Sequence, residues 1–362
     1  MRHPIGGQSR PFCLNPQAAS ARPAQTGRNP SHGDDVRRVG TGSGSAAAPS
    51  SSVTRSVVRM TTTVLVAGAT GDLGGRIVRA LRQHDTSVRV LTRPGGGPAA
   101  ERLAAQDGVE VVRADYGDHA ALTAALAGVE VVVSAVSGTR PVIVDAQRSL
   151  LAAAVAAGVQ RFVPSDYAAD YRSITPGTNR NFELRREFAA DVDAAPIRAT
   201  SVLNGAFTDM LTGQAPLVLF DRQRVLFWSR ADQVLDFTTK DDVARTTALV
   251  ALDPAAPRVV EVAGDRVTSR SIADTMSELT GTRFRLQWAG TAGTLSAMAK
   301  VGRRLSKAGD DEPFPAWQGM QYFVSMFSGE AELHHVDNDR YGAHEWTTVR
   351  DVLAAHLGSP ED

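Results

Sequence analysis

The chain has 362 residues, with 39 Lys+Arg against 39 Asp+Glu and 43% hydrophobic residues. That is the composition of a globular protein with enough length for a sizeable core in one large or two small domains. The net charge of zero is a sum of unequal parts: residues 1–60 hold eight arginines against Asp34 and Asp35, about +6, which leaves about −6 for the remainder. A mildly acidic body gives no sign of nucleic-acid affinity.

The first sixty residues are rich in Arg, Ser, Ala, Gly and Pro and have no sustained apolar periodicity. They are expected to be disordered, and they lack the apolar stretch of a secretory signal. Two readings stand: an Arg- and Ser-rich organelle transit peptide, or translation from Met60, where Met60-Thr61-Thr62-Thr63 opens into the first strand. The chain holds only three lysines, Lys240, Lys300 and Lys307, a bias expected of a GC-rich genome with spurious upstream frames. Cys13 is the sole cysteine, so no disulfide within the chain and no cysteine nucleophile in the body can form. The longest apolar stretch, around Leu150 to Ala157, is too short and Ala-rich to span a bilayer. A cytoplasmic protein is expected unless the leader is a working address.

The body opens with Val64-Leu65-Val66-Ala67, a β-branched apolar strand, followed by Gly68-Ala69-Thr70-Gly71-Asp72-Leu73-Gly74. Strand, glycine loop and helix in that order suit a diphosphate, which rests on free N–H groups at the positive end of the helix dipole. In that reading Gly68 permits the turn, Gly71 lets backbone approach the ligand, and Gly74 lets helix pack on strand. The helix places Leu73, Ile77, Val78 and Leu81 on one face, with Arg76, Arg79 and Arg82 outside. The second strand, Val88 to Arg93, ends about twenty residues past the loop, where a carboxylate selects NAD and an arginine selects the 2′-phosphate of NADP. Position 93 is Arg with no carboxylate nearby, which favours NADP(H); the competing reading is a solvated strand-end arginine.

Further strands are expected at Gly108–Asp115, Val129–Val136, Arg161–Ser165 and Ile197–Leu203. Helices are expected at His119–Ala127, at Val142–Ala157 ended by Gly158, and at Phe182–Asp193. Continuous apolar strands between amphipathic helices mean a doubly wound parallel sheet, by default in the order 3-2-1-4-5-6. Past residue 210 the pattern mixes. A strand pair is expected at Leu217–Phe220 and Val225–Trp228, and a helix Val243–Leu252 capped by Asp241 or Asp242. A strand follows at Val259–Val262, then a helix capped by Ser269 or Ser271 and ended by Gly281. The last hundred residues read as helical, closing with Trp346 to Leu353. The expected organisation is an α/β protein: a leader at 1–60, an NAD(P)-binding Rossmann domain at 61–210, and a smaller mixed α/β substrate-covering region at 211–362, partly interleaved with the Rossmann sheet.

Several motifs resemble the NmrA-like and isoflavone-reductase-like branch of the atypical short-chain dehydrogenase/reductase family. They are the glycine loop, Leu91-Thr92-Arg93-Pro94, the run Ala156 to Tyr167 with Pro164-Ser165-Asp166-Tyr167 after the fifth strand, Asn204-Gly205-Ala206-Phe207, and Asp241-Asp242-Val243-Ala244. The resemblance spans roughly residues 63–285. It implies NADP(H) with its pyrophosphate over Thr70, Gly71, Asp72 and Leu73, and its 2′-phosphate near Arg93. Adenine would lie near Asp115 and Tyr116, and the nicotinamide between Ala135, Val136, Ser137 and Pro164, Ser165. Asp115 capping a turn and Pro164-Ser165 merely ending a strand are the plain alternatives.

The chemistry departs from the wider family. Tyr-x-x-x-Lys, in which the lysine lowers the tyrosine pKa, is absent: neither Tyr167-Ala168-Ala169-Asp170-Tyr171 nor the five residues from Tyr171 supply the lysine. Isoflavone-reductase-like enzymes carry a lysine on the helix before strand six; here Arg185 aligns with it, allowing a one-residue gap. Arginine stays charged and cannot shuttle a proton, but a fixed cation can stabilise a developing enolate or alkoxide. Arg185 as a solvated helix residue is the alternative. Tyr167 is a candidate proton donor or a core residue. Asp166, Asn204 and Phe207 are candidates to line the substrate pocket, or to shape turns. His334-His335 with Asp337 and Asp339 makes a poor metal site, because adjacent histidines rarely bind one ion. Trp317, Tyr322, Phe323, Met326 and Phe327 read as core or lid. The leading expectation is an NADPH-dependent reductase of a small conjugated carbonyl or quinone-like substrate, with no nucleic-acid or membrane partner. The rivals are a non-catalytic NADP(H) sensor that reports to a protein partner and, disfavoured by the missing Tyr-x-x-x-Lys, a nucleotide-sugar epimerase or dehydratase.

Overall fold

A computed structural model of the protein describes residues 61–306 and 312–358; the expected leader, with Cys13, lies outside them. In chain order the first half runs β1 (Thr62–Ala67), α1 (Asp72–Leu81), β2 (Thr86–Thr92), α2 (Pro98–Ala104), β3 (Val109–Arg113), α3 (His119–Ala125), β4 (Val131–Ser134), α4 (Gln147–Ala156), β5 (Arg161–Val163), α5 (Arg180–Ala194) and β6 (Arg198–Ala199). These strands form one parallel sheet in the order β3-β2-β1-β4-β5-β6, the doubly wound Rossmann order expected.

Alternation along each strand divides the core. Val64, Val66, Val88, Val90, Val131, Val133 and Val163 meet Ile77, Val78 and Leu81 of α1 on one face. Leu65, Ala67, Leu91, Val132 and Phe162 meet Leu122, Leu150 and Phe188 on the other. Side chains two apart share a face, and both faces are covered, which is why these strands read as unbroken apolar runs.

The second half holds β7 (Ser201–Leu203), β8 (Ala206–Phe207), β9 (Val218–Leu219), β10 (Arg224–Phe227), β11 (Leu235–Thr238), α6 (Lys240–Leu252), β12 (Val259–Glu261), β13 (Asp265–Val267), α7 (Ser269–Thr280), β14 (Arg285–Trp288), α8 (Ala292–Leu305), α9 (Ala316–Ser328) and α10 (Val349–Gly358). Three small sheets, β14-β10-β9, β13-β11-β8 and β12-β7, arise here. A further core gathers Trp228, Phe237, Met276, Phe323, Met326 and Phe327, so Phe323, Met326 and Phe327 of α9 are core residues, with Tyr322 packed against them.

Several sequence expectations change. The sixth strand is two: Thr200 N–H still donates to Phe162 O at 3.1 Å, but Ser201 N–H donates to Arg258 O at 2.9 Å, and β7 pairs with β12. The cap of α6 is Thr239, whose side chain accepts the Asp242 N–H, and the cap of α7 is Thr268, in a reciprocal pair with Ser271. Gly281 does end α7, at φ 65°. Residues 330–348 are not helical. The segments on either side of residue 210 are interleaved: β7 pairs with β12, and β8 pairs with β11. No helix among the described residues is long and apolar enough to cross a membrane.

Candidate functional site

The carboxyl ends of β1 and β4 lie side by side where the strand order reverses, the place where open α/β sheets leave a crevice. Two glycines create the loop there. Gly68 has φ 84°, and a Cβ on it would stand 2.5 Å from Ala135 O. A Cβ on Gly74 would stand 2.2 Å from Gly68 O, so α1 packs on the loop as only glycine allows. Gly71, the residue capping α1, supplies no side chain to the first turn. Exposed Thr70 and Asp72 with half-buried Leu73 therefore surround amides that no side chain caps.

The β4 and β5 ends are tied together. Ser165 Oγ donates to Val136 O at 2.7 Å, and Ser165 N–H donates to Gln147 Oε1 at 3.0 Å. Gln147 begins α4 directly after a π-helical turn, Pro141–Ala146, a feature frequent beside functional sites. Ala135 and Val136 are half-buried, Ser137 is exposed and Pro164 is buried. Ser134 Oγ is buried with no hydrogen-bond partner.

At the other end, Arg93 is exposed, and its guanidinium makes no hydrogen bond or ion pair among the described residues. Its charge draws down the Tyr116 hydroxyl, which burial pushes up to about 12. Asp115 Oδ1 accepts the Gly117 N–H at 2.8 Å, so this carboxylate does cap a turn. Arg113, at the end of β3, is a second guanidinium here that sequence reasoning missed. Its Nε and Nη2 lie 3.8 Å from where a Cβ on Gly96 would be. Nothing in the sequence marked it, because Arg113 comes into register with Thr92 only through the β2–β3 pairing.

The expected catalytic and substrate residues fare unevenly. Tyr167 is buried. Its ring is enclosed with Val163, Val243, Ala244 and Ala248, its hydroxyl faces Thr247 without closing a hydrogen bond, and burial pushes it well above the usual tyrosine range. Of the two readings of Tyr167, this burial favours the core residue over the proton donor. Asp166 is fully enclosed and accepts from Ser201 Oγ at 2.6 Å and Tyr171 OH at 3.1 Å on one oxygen, Oδ2. Asn204 is also fully enclosed, with Thr238 Oγ1 donating to its carbonyl at 2.8 Å. Neither lines an open pocket; of the three, only Phe207 keeps exposed surface. Arg185 is half-buried on α5, donates to Asn181 O at 3.2 Å and leaves Nε without a partner. His334 and His335 donate backbone N–H groups to Glu261 Oε2, each at 3.1 Å. No group of three or more His, Cys, Asp or Glu among the described residues is set to hold a metal ion.

Sheet order and glycine loop together define a Rossmann-fold protein with an anion-ready crevice at the sheet's switch point. The NmrA-like family model matches residues 60–302, and the chain belongs to that family. It is 33% identical over 208 residues to pinoresinol reductase 1 of Arabidopsis thaliana, covering 53% of this chain and 65% of that protein's length. It is 27% identical over 241 residues to quinone oxidoreductase 2 of Escherichia coli strain K12, covering 66% of this chain and 82% of that one. Among solved structures, AtPrR2 with NADP+ and (+)pinoresinol superposes with a TM-score of 0.70 at 25% identity, over 82% of this chain and 99% of that one.

Proposed function

We propose that this chain is an NADPH-dependent reductase of a small conjugated carbonyl or quinone-like substrate. The observation that carries the reading is the unpaired Arg93 guanidinium at the end of β2, on the same sheet edge as a glycine loop whose amides no side chain caps. The fit to a dinucleotide rests on the loop itself: a Cβ at Gly68 or Gly74 would strike the backbone of Ala135 or Gly68, so only glycine holds the loop in this shape. In this reading Thr70, Gly71, Asp72 and Leu73 hold the diphosphate through backbone amides. Arg93 pairs with the 2′-phosphate, and Tyr116 and Asp115 flank the adenine. Ala135, Val136, Ser137, Pro164 and Ser165 bound the nicotinamide. The neighbour solved with NADP+ supports the coenzyme, and the relative named as a quinone oxidoreductase supports the substrate class.

When bound, NADPH supplies a hydride to an electrophilic carbon. The chain's own part is to orient and to polarise. The Ser165–Val136 bond fixes the gap between the β4 and β5 ends. Arg185 presents a permanent positive charge on α5, suited to an oxyanion but not to proton exchange. Phe207 offers apolar surface to the substrate. Calorimetric titration with NADPH, NADP+ and NADH tests the reading. NADPH should bind tighter than NADH, and Arg93→Ala should erase about 10- to 100-fold of that preference, the worth of a charge-assisted phosphate contact. Wild-type protein that binds no pyridine dinucleotide, or prefers NADH, overturns it. A screen of enones, aldehydes and quinones at the NADPH absorbance band then tests turnover. The enclosed Tyr167 and the missing lysine favour a second reading, an NADP(H) sensor; tight binding without turnover, together with a partner whose affinity follows the redox state, would select it.

A further inference from the structure

The first turn of α1 carries a feature that works against an anion site. Asp72 is the first residue of that helix, so its carboxylate stands beside the amides assigned to the diphosphate. One carboxylate at a helix N-terminus is favourable by itself; a second anion arriving there meets like charge. Asp72 is not left alone. Oδ2 accepts from Lys240 Nζ at 2.8 Å, and Oδ1 accepts from Arg76 Nε at 2.7 Å. Arg76 also donates from Nη1 to Asp241. Lys240 and Asp241 open α6, which lies along α1, so the first turns of both helices share a cluster of two acids and two bases. Asp72 and Lys240 are 168 positions apart in sequence, and nothing local requires their pairing.

We propose that Lys240 is an affinity-determining residue for the coenzyme: together with Arg76 it neutralises Asp72 and so lets the diphosphate settle on the glycine loop. The inference rests on the coenzyme assignment made above. Lys240 is a positioning residue that acts through Asp72. Like charges a few ångströms apart at a protein surface repel by an amount equivalent to about tenfold in affinity. Removing Lys240 uncovers that repulsion, and removing the Asp72 charge as well abolishes it.

The test is a double-mutant cycle read by calorimetry on the full chain with NADPH. Lys240→Ala should raise Kd about tenfold, with the loss shrinking at high salt, and Lys240→Arg should restore most of it. Asp72→Asn keeps the backbone amide, removes the like charge and frees Lys240, so it should bind tighter than wild type. The double variant Asp72→Asn/Lys240→Ala should return to within about threefold of wild type. Adenosine 2′-phosphate, which has no diphosphate, should bind Lys240→Ala and wild type equally. Thermal unfolding of each variant separates loss of fold from loss of affinity. An unchanged Kd in Lys240→Ala overturns the proposal. So does a double variant as weak as Lys240→Ala, because Lys240 would then act on the ligand directly. A wild-type protein blind to NADPH overturns the coenzyme assignment instead, and the two failures are distinct.

Discussion

The Ser201 hydroxyl donates to Asp166 Oδ2 at 2.6 Å, tying the residue where the chain leaves the main sheet to the carboxylate just beyond β5. Tyr171 OH donates to the same oxygen, and Arg258 Nη1 donates to Ser201 Oγ at 2.7 Å and on its Nε side to Asp193. A buried carboxyl thus joins β5, β7 and the segment entering β12. The switch of hydrogen-bond partner at Thr200 and Ser201 is held by polar bonds as well as by the ladder.

Asp166 should make stability fall as pH rises. Burial pushes its carboxyl up, and the Ser201 bond, the Arg185 charge, the Tyr171 bond and the Arg258 charge only partly offset this. The folded chain therefore keeps this proton to higher pH than the unfolded chain does. Its contribution is full below the ordinary carboxylate value and is lost as pH climbs towards the raised one. Asp166→Asn removes the titration, so urea unfolding from pH 4 to 8 should show the variant gaining on wild type with rising pH. Parallel stability profiles would contradict this account.

Glycine substitutions should split in sign. Gly74→Ala forces a Cβ to 2.2 Å from Gly68 O, backbone that cannot yield without opening the loop. A loss of about 2–3 kcal/mol is expected. Gly319, exposed within α9, has nothing within 4 Å of the added carbon. Alanine there should gain about 0.5–1 kcal/mol from helix propensity and a less flexible unfolded chain. Melting temperatures of the two variants, measured side by side, check both signs.

Arg172 bonds two buried carboxylates, Asp170 at 2.7 Å and Glu261 at 2.8 Å. Burial alone would raise Asp170, but the Arg172 bonds outweigh it and hold the carboxyl below its usual range. Arg172→Met should cost about 1–3 kcal/mol near neutral pH, the low end for a buried pair because the guanidinium is half exposed. A depressed acid contributes stability above its unfolded pKa and loses it as pH falls through the folded value. The gap between variant and wild type should therefore narrow on acidification. Glu261 also anchors His334 and His335, so limited proteolysis near residue 335 should speed up in the variant.

The sheet was readable because its cause is local: Val64 to Ala67 followed by Gly68 can bury two faces and turn only one way, and β2 and β4 repeat the pattern. Ile197 to Leu203 misled because apolar periodicity records burial and not the neighbouring strand. Val202 and Leu203 are as buried beside β12 as they would have been beside β5. Helix caps slipped by one to three residues because adjacent Thr, Ser and Asp all suit a cap, and only geometry selects Thr239 and Thr268. Spacing places Tyr167 at the β5 end, but its burial comes from α6, eighty residues on. Arg113 and Lys240 were invisible because each matters only through a partner brought near by the fold.

Arg185 offers the sharpest test of chemistry. Its Nε lacks a partner although buried, and its Nη1 takes only the Asn181 carbonyl one turn back. A solvated guanidinium would leave no such atom enclosed. If its charge stabilises an oxyanion, Arg185→Ala should lower kcat about 100-fold for whichever carbonyl substrate the screen finds, with NADPH affinity unchanged. Arg185→Lys should keep most of the rate but add a titrating limb on the alkaline side. A lysine in a partly dry site can lose its proton at accessible pH, whereas arginine cannot. Wild type should show no such limb from this residue. An alanine variant with kcat within twofold of wild type would reduce Arg185 to a helix surface residue and move the search for the oxyanion partner elsewhere on the β4 and β5 ends.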